Sequence, residues 1–414
     1  MTVSLSSTDH VVIVGASHGG ISMAEQLRKH GFDGMITMLD RETSLPMERP
    51  PLSKAWLAEQ GAGGDGSFLM RQAEWYKENR VEFRRGADAV TADPKARTLT
   101  LSDGDSVSWD QLVLATGATP RALPMAGGDD PRVHVLRVPA DAESLSAAMT
   151  SARSMVIIGG GYIGLEVAAS ARKRGLEVTV IEMAPRLLAR VASPEASAYF
   201  HALHESHGTG IRVGAGVQAI DTSGDALCLD LGEGEIIRAD LVVAGIGVVP
   251  DLALAASSGV DHGNGITVDD SYRTSVEGIW AIGDVARCSG GYTRGQMRIE
   301  SVHHAQMSAE IAAASMMGED PKAHEVPWFW SEQYDKKLQS AGFVPADAEV
   351  VERKGRREGA LSFWSFQDGA LKAVEAIGDG QAYMLGKTAL TTGHPVTPGQ
   401  IADPEFDLKS LMTR

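Results

Sequence analysis

The sequence predicts an α/β protein: two copies of a doubly wound β-α-β unit, followed by a C-terminal α+β domain. Three observations carry this expectation. An apolar run, a glycine-rich turn, an amphipathic segment and a second apolar run ending in an acid occur at Val11–Asp40 and again at Met155–Glu182, the repeat pattern of parallel strands joined by crossover helices. From about Pro321 the composition changes, with Trp328, Trp330 and Trp364 near strand-like runs at Ala360–Phe366 and Leu371–Ile377. The chain of 414 residues, 43% hydrophobic, suits two or three cores rather than one.

In the first unit the predicted strand is Val11–Val14, the turn Gly15–Gly20, the helix Ile21–His30 and the second strand Met35–Leu39, closed by Asp40. Arg97–Leu101 and Gln111–Ala115 read as strands flanking a Ser-Asp-Gly-Asp turn, hence as antiparallel material attached to this unit. Ala118–Gly128, rich in Pro and Gly, reads as the crossing to the next domain. The second unit has a strand at Met155–Ile158, a turn at Gly159–Gly164, a helix at Leu165–Arg174 and a strand at Leu176–Ile181 before Glu182. Leu241–Pro250 and Gly278–Ala286 read as further apolar strands. The expected domains are two Rossmann-like ones, residues 1–117 with 248–320 and an inserted 118–247, and then 321–414.

The net charge of −16 argues against general nucleic-acid binding, which needs a basic footprint. The N-terminal MTVSLSSTDH has no basic or apolar leader region, and no run approaches the roughly 18–20 apolar residues of a membrane span; a cytoplasmic protein with no membrane contact is expected. Cys228 and Cys288 have neither disulfide-framework nor zinc spacing, so no metal site is expected.

The turn Gly159-Gly160-Gly161-Tyr162-Ile163-Gly164 is a complete G-x-G-x-x-G. Its context of strand, turn, helix, strand and terminal acid is what a dinucleotide site requires, with Glu182 close to the expected spacing of roughly 20 positions. The helix start offers unpaired N–H groups to a pyrophosphate. Glu182 would accept both ribose hydroxyls and repel a 2′-phosphate, which predicts NADH over NADPH; Arg186, just beyond the strand, is the group that would greet a phosphate instead. The first turn, Gly15-Ala16-Ser17-His18-Gly19-Gly20, has serine where the second glycine belongs, yet shares the context through Asp40. It reads as a second dinucleotide site, crowded slightly by Ser17. Two such sites point to a flavin and a nicotinamide cofactor exchanging a hydride.

Arg49-Pro50-Pro51-Leu52-Ser53-Lys54, Leu114-Ala115-Thr116-Gly117, Ala281-Ile282-Gly283-Asp284, Trp328-Phe329-Trp330-Ser331-Glu332-Gln333-Tyr334 and the tail Asp403–Leu408 together resemble the FAD-dependent, NADH-using ferredoxin reductases of cytochrome P450 and Rieske-type oxygenase chains. The resemblance covers nearly the whole chain and implies a glutathione-reductase-like plan of two domains plus the C-terminal one. Departures are Ser17, Asp251 where asparagine is frequent, and Glu332 where aspartate is usual. The resemblance implies FAD on the first turn (Gly15, Ala16, Ser17, Gly20), with Asp40 on the adenosine ribose and Asp284 on the ribityl chain or pyrophosphate. Arg49, Ala89, Arg121 and Arg137 match positions lining adenine and pyrophosphate; Thr116 and Gly117 belong to the flavin set, with Val302 and Trp330 near the ring. NAD falls to Gly159, Gly161, Ile163, Gly164, Glu182, Arg186 and Gly247. Lys54 and Glu166 look like the pair beside flavin N5, a cation favouring reduced flavin and the carboxylate that orients it.

The implied activity passes electrons from NADH singly to a [2Fe–2S] ferredoxin, and through it to the oxygenase. Flavin disulfide reductases need reactive cysteines, and Ser44–Lys54 has none. The rival readings are a soluble NADH oxidase or quinone reductase, and a flavin-containing redox-sensing protein of the apoptosis-inducing-factor type. Residues 321–414 hold 11 basic and 13 acidic side chains against 27 and 41 elsewhere, so this domain repels an acidic ferredoxin least; Lys387, Lys409 and the run Arg353–Arg357 are its docking candidates.

Overall fold

The structure is a computed structural model that describes residues 4–59, 66–290 and 295–412. Residues 1–3, the start of the N-terminal decapeptide, and residues 413–414 lie outside the described residues. The chain forms two compact units. Unit one comprises Met1–Glu48, Phe68–Thr119 and Val249–Pro327, and unit two Arg49–Ser67, Pro120–Val248 and Trp328–Arg414.

Unit one is built on a parallel sheet in the order Ile279–Ala281, Gln111–Leu114, His10–Val14, Met35–Asp40, Val81–Arg85. Parallel strands covered on both faces need no polar side, and Val11, Val12, Ile13, Ile36, Met38, Leu112, Val113 and Leu114 are all buried. Helices His18–Lys29 and Val302–Met316 pack on each other. A Cβ on Gly19 would lie 3.8 Å from the Ala305 carbonyl oxygen, so the small residues of both helices set a close approach.

The chain winds from His10–Val14 outward through Met35–Asp40 to Val81–Arg85, then returns to the other side with Gln111–Leu114. Doubly wound sheets bind ligands beyond the C-terminal strand ends at such a reversal. Three loops meet there, because Ala115 N–H donates to Val14 O at 2.9 Å and Ile282 N–H to Leu114 O at 3.0 Å.

Unit two repeats the plan with the parallel order Gly210–Val213, Glu177–Glu182, Ser154–Ile158, Leu241–Ala244, Val133–His134. It adds an antiparallel sheet, Trp328–Gln333, Lys336–Gly342, Ala370–Ile377, Leu361–Gln367, Glu349–Lys354, on which helix Gly380–Thr392 packs. The short helix Ala55–Ala58 lies on helix Tyr162–Lys173. Among the described residues, no helix is long and apolar enough to cross a membrane.

Several strand assignments are corrected. The Ser-Asp-Gly-Asp turn leads into Ser106–Ser108, which pairs with Thr98–Leu101, while Gln111–Leu114 enters the parallel sheet. Leu112, Val113 and Leu114 form the continuous apolar run of a strand buried on both faces, whereas Ser106–Ser108 turns only Val107 inward. Leu241–Pro250 is two strands, Leu241–Ala244 and Val248–Pro250, separated where Gly247 takes φ +100°. Gly278–Ala286 breaks likewise after Ile279–Ala281, with Gly283 at φ +68° opening a 3-10 turn.

Arg353 leaves the set of docking candidates. Its guanidinium donates to the carbonyls of Ile401 (2.9 Å), Asp403 (2.7 Å), Pro404 (3.3 Å) and Phe406 (2.7 Å), binding the tail to the sheet. Arg353→Ala is expected to lower the unfolding free energy by about 2 kcal/mol, the scale of losing charged hydrogen bonds at a half-buried site. Urea denaturation measures this, and an unchanged midpoint would show that other contacts hold the tail.

Candidate functional site

The two glycine turns are built alike. Asp40, closing its strand, accepts Ala16 N–H (3.0 Å) and Glu42 N–H (3.0 Å); Glu182 accepts Gly160 N–H (2.7 Å) and Ala184 N–H (2.7 Å). Each acid holds the second residue of its turn, and Glu182, with one such bond per oxygen, keeps lone pairs for further donors.

The glycines have different constraints. A Cβ on Gly15 would stand 2.3 Å from Ala115 O, and on Gly159 2.4 Å from Gly245 O, both at positive φ. One on Gly20 would meet Gly15 O at 1.9 Å, and on Gly164 Gly159 O at 2.2 Å. A Cβ on Gly161 would meet nothing within 4 Å. Ser17, its counterpart, has extended backbone at φ −87°, as Gly161 has at φ −82°. The departure at Ser17 therefore needs no positive φ, and the same position in the second turn faces open space. Neither helix start has a side-chain cap, whereas Ser193, Ser301, Asp379 and Thr397 cap theirs. A helix start without a side-chain cap is the setting in which backbone N–H groups receive an anion.

Within unit one, Thr116 Oγ1 donates to Asp251 O (2.9 Å) and Gly117 O accepts Asp251 N–H (3.0 Å). Asp251 itself pairs with Arg41 at 3.0 Å. Half-buried Asp284 sits in the turn Gly283–Val285 at the end of strand Ile279–Ala281, its carbonyl accepting Arg298 Nη1 at 2.9 Å. Ala89 starts strand Ala89–Asp93, brought alongside Asp40 by Ala87 N–H donating to Asp40 O at 2.8 Å. Val302 begins its helix directly after the cap Ser301.

Arg49, Arg121 and Arg137 belong to unit two. Arg49 Nη1 donates to Arg137 O at 3.5 Å, and Arg121 N–H donates to Gly247 O at 3.0 Å. Ile163 is 46% exposed at the second turn, an apolar side chain open to a ligand. The Arg186 guanidinium donates to Ala189 O (3.1 Å) and Ser193 O (3.5 Å), so it serves its own loop. Trp330 is half-buried, with Trp328 at 5.7 Å and Phe329 at 6.3 Å between ring centroids. Lys387 Nζ lies 5.2 Å from the Trp328 ring centroid.

Lys54 and Glu166 meet. Lys54 Nζ stands 2.7 Å from Glu166 Oε2 and 3.1 Å from Pro50 O, and Glu166 is 2% exposed. Two residues given no role in the sequence complete the group: Ser53 Oγ donates to Glu166 Oε2 at 2.5 Å and Ser331 Oγ to Oε1 at 2.6 Å. Ser170 Oγ anchors the segment by donating to Ser53 O at 2.9 Å. Buried ion pairs hold only when the remaining lone pairs are satisfied, and this carboxylate has three donors.

Glu375 was also missed. It is fully buried, both oxygens accept Ser193 N–H at 3.2 Å, and burial pushes its carboxyl up to about 7. Tyr162 stacks on Phe329 at 4.6 Å, its buried hydroxyl without a hydrogen-bond partner among the described residues. Only Tyr162's place inside the glycine fingerprint could have drawn attention to it.

Residues 9–309 match the family described as pyridine nucleotide-disulphide oxidoreductase, and residues 328–412 match the family described as reductase C-terminal. The chain is 42% identical over 406 residues to a rhodocoxin reductase of Rhodococcus erythropolis, covering 98% of this chain and 94% of that protein. Among solved structures it is similar to the ferredoxin reductase for the CYP199A2 system of Rhodopseudomonas palustris, with TM-score 0.94, 37% identity and coverage of 97% and 99% of the two chains. It is also similar to the reductase chain of a covalent putidaredoxin reductase–putidaredoxin complex, with TM-score 0.93, 34% identity and coverage of 98% and 99%.

The contrast between the third and last turn positions is testable. Ser17→Gly is expected to leave the unfolding free energy within about 0.5 kcal/mol, since Ser17 makes no side-chain cap bond to lose and glycine is tolerated at this position. Gly20→Ala, with its Cβ 1.9 Å from Gly15 O, forces helix and turn apart and is expected to lose roughly 2–3 kcal/mol, the scale of overpacking. Urea denaturation of both variants reads the difference; equal midpoints would refute it.

Proposed function

The chain belongs to the pyridine nucleotide-disulphide oxidoreductase family, and from that premise we propose that it is an FAD-dependent NADH:ferredoxin reductase supplying a cytochrome P450 or Rieske-type oxygenase. The observation that carries this reading is the end-to-end likeness to ferredoxin reductases of a chain with two open dinucleotide turns. The relatives favour it over an oxidase or a redox sensor, and the two cysteines, Cys228 and Cys288, are free. NADH is regenerated in the cytoplasm, where this reading places the protein.

The residues present fit both nucleotides, since each turn offers a helix start with no side-chain cap, a third position with extended backbone and a carboxylate that fixes the turn's second residue. FAD, when bound, supplies the conversion of a two-electron hydride into single-electron steps. We assign it to the turn of unit one, with Asp40, Thr116, Gly117 and Asp284, and NADH to the turn of unit two, with Gly159, Gly161, Gly164 and Glu182. Glu182 accepts ribose hydroxyls and repels a 2′-phosphate. Lys54, oriented by Glu166, stabilises the negative charge that arrives with hydride; such a preorganised group acts most strongly away from water. Lys409, exposed at the C-terminal end of the chain, is the docking cation for an acidic ferredoxin.

NADH-driven reduction of cytochrome c is expected to depend strongly on an added [2Fe–2S] ferredoxin; indifference to ferredoxin would favour the oxidase, and no NADH consumption the sensor. Lys54→Met is expected to slow flavin reduction by NADH at least about tenfold in stopped flow, and an unchanged rate would remove Lys54 from the hydride step. With Lys409→Glu the Michaelis constant for ferredoxin is expected to rise at low salt and converge on the parent value at high salt, while no change at low salt would remove Lys409 from docking.

A further inference from the structure

Glu166 is joined to a row of buried polar side chains whose directions its charge dictates. An ionised carboxylate only accepts. Ser331 Oγ, 2.6 Å from Glu166 Oε1, therefore points its one proton there, and it receives Gln333 Nε2 at 3.2 Å. Gln333, having turned its NH2 to Ser331, offers Oε1 to His204 Nε2 at 2.9 Å. That nitrogen must carry the proton, which leaves Nδ1 to accept the Tyr334 hydroxyl at 3.4 Å. Tyr334 then receives Thr209 Oγ1 at 3.1 Å.

Every link from Thr209 to Glu166 thus donates in one direction. Ser331, Gln333 and His204 are fully buried, and bonds in series away from water polarise one another. The row is not a proton wire, because the amide of Gln333 does not hand a proton along. Its effect is on orientation and charge. Burial, with His207 and His201 nearby, holds His204 down to about 4 against the opposing bond to Gln333, so the ring is neutral at pH 7.

We propose that Ser331, Gln333 and His204 are positioning residues for the Lys54–Glu166 pair, a one-way row of donors that locks the carboxylate where it holds the ammonium. The inference rests on the reading of that pair as the electrostatic partner of the hydride step.

The test uses the full-length holoenzyme. Histidine 15N spectra at pH 7 are expected to show His204 as the neutral Nε2–H tautomer, and the Nδ1–H tautomer would overturn the direction of the row. Gln333→Glu is nearly isosteric but accepts only, so it draws the Ser331 proton away from Glu166. It is expected to make His204 cationic at pH 7 and to slow flavin reduction by NADH about tenfold, with the NADH dissociation constant within about twofold. Gln333→Met keeps the volume and removes the link; the same loss of rate is expected with His204 still neutral. Rates within about twofold of the parent in both variants, alongside a slowed Lys54→Met, would overturn the row as a positioning device. An unchanged rate in Lys54→Met would instead overturn the reading of the ion pair, leaving the tautomer to decide the direction of the row.

Discussion

Glu166 has to remain charged where water does not reach it, and much of unit two is arranged around that requirement. An ion in the interior costs several kcal/mol unless a partner charge and hydrogen bonds take the place of solvent. Three stretches far apart in sequence meet the need: helix Tyr162–Lys173 carries the carboxylate, the turn Pro50–Ser53 and its successor Lys54 bring a hydroxyl and a cation, and strand Trp328–Gln333 brings Ser331. Apolar burial is non-directional and would tolerate many placements of these segments. The directed bonds to one carboxylate select among them.

Outward from that centre, strand alternation sorts the rest. Phe329, Ser331 and Gln333 share one face of their strand, Phe329 stacking on Tyr162 in the second glycine turn. Trp328 and Trp330 occupy the opposite face, with the Lys387 ammonium over the Trp328 ring. One strand thus links the buried ion pair on one side to an aromatic surface with a cation on the other.

The glycine turns divide their residues between fold and ligand. Gly15, Gly20, Gly159 and Gly164 are required by the chain itself, because a Cβ at each would enter a neighbouring carbonyl. A Cβ on Gly161 would enter no neighbour, and Ser17 has the same extended backbone, so serine at this position needs no left-handed conformation. Asp40 and Glu182 each hold the second residue of their turn through a backbone N–H group.

The sequence alone determined the repeated β-α-β units, the two turns, their terminal acids and the change of character in the C-terminal α+β segment, which the structure joins to unit two. These are legible because strand runs, helical periodicity and glycine spacing are local properties of the chain. Lys54 and Glu166, 112 positions apart, were reachable only by family resemblance, and Ser53, Gln333, His204 and Glu375 were given no role at all. Their meeting depends on how whole elements dock, which apolar patterning leaves open. The same holds for Gln111–Leu114: its residues suit a strand in either setting, and only the burial of the assembled sheet on both faces gave it a parallel, internal place. Directed hydrogen bonds between distant segments are the part of this protein that the tertiary structure decided, because their geometry exists only once the units have folded.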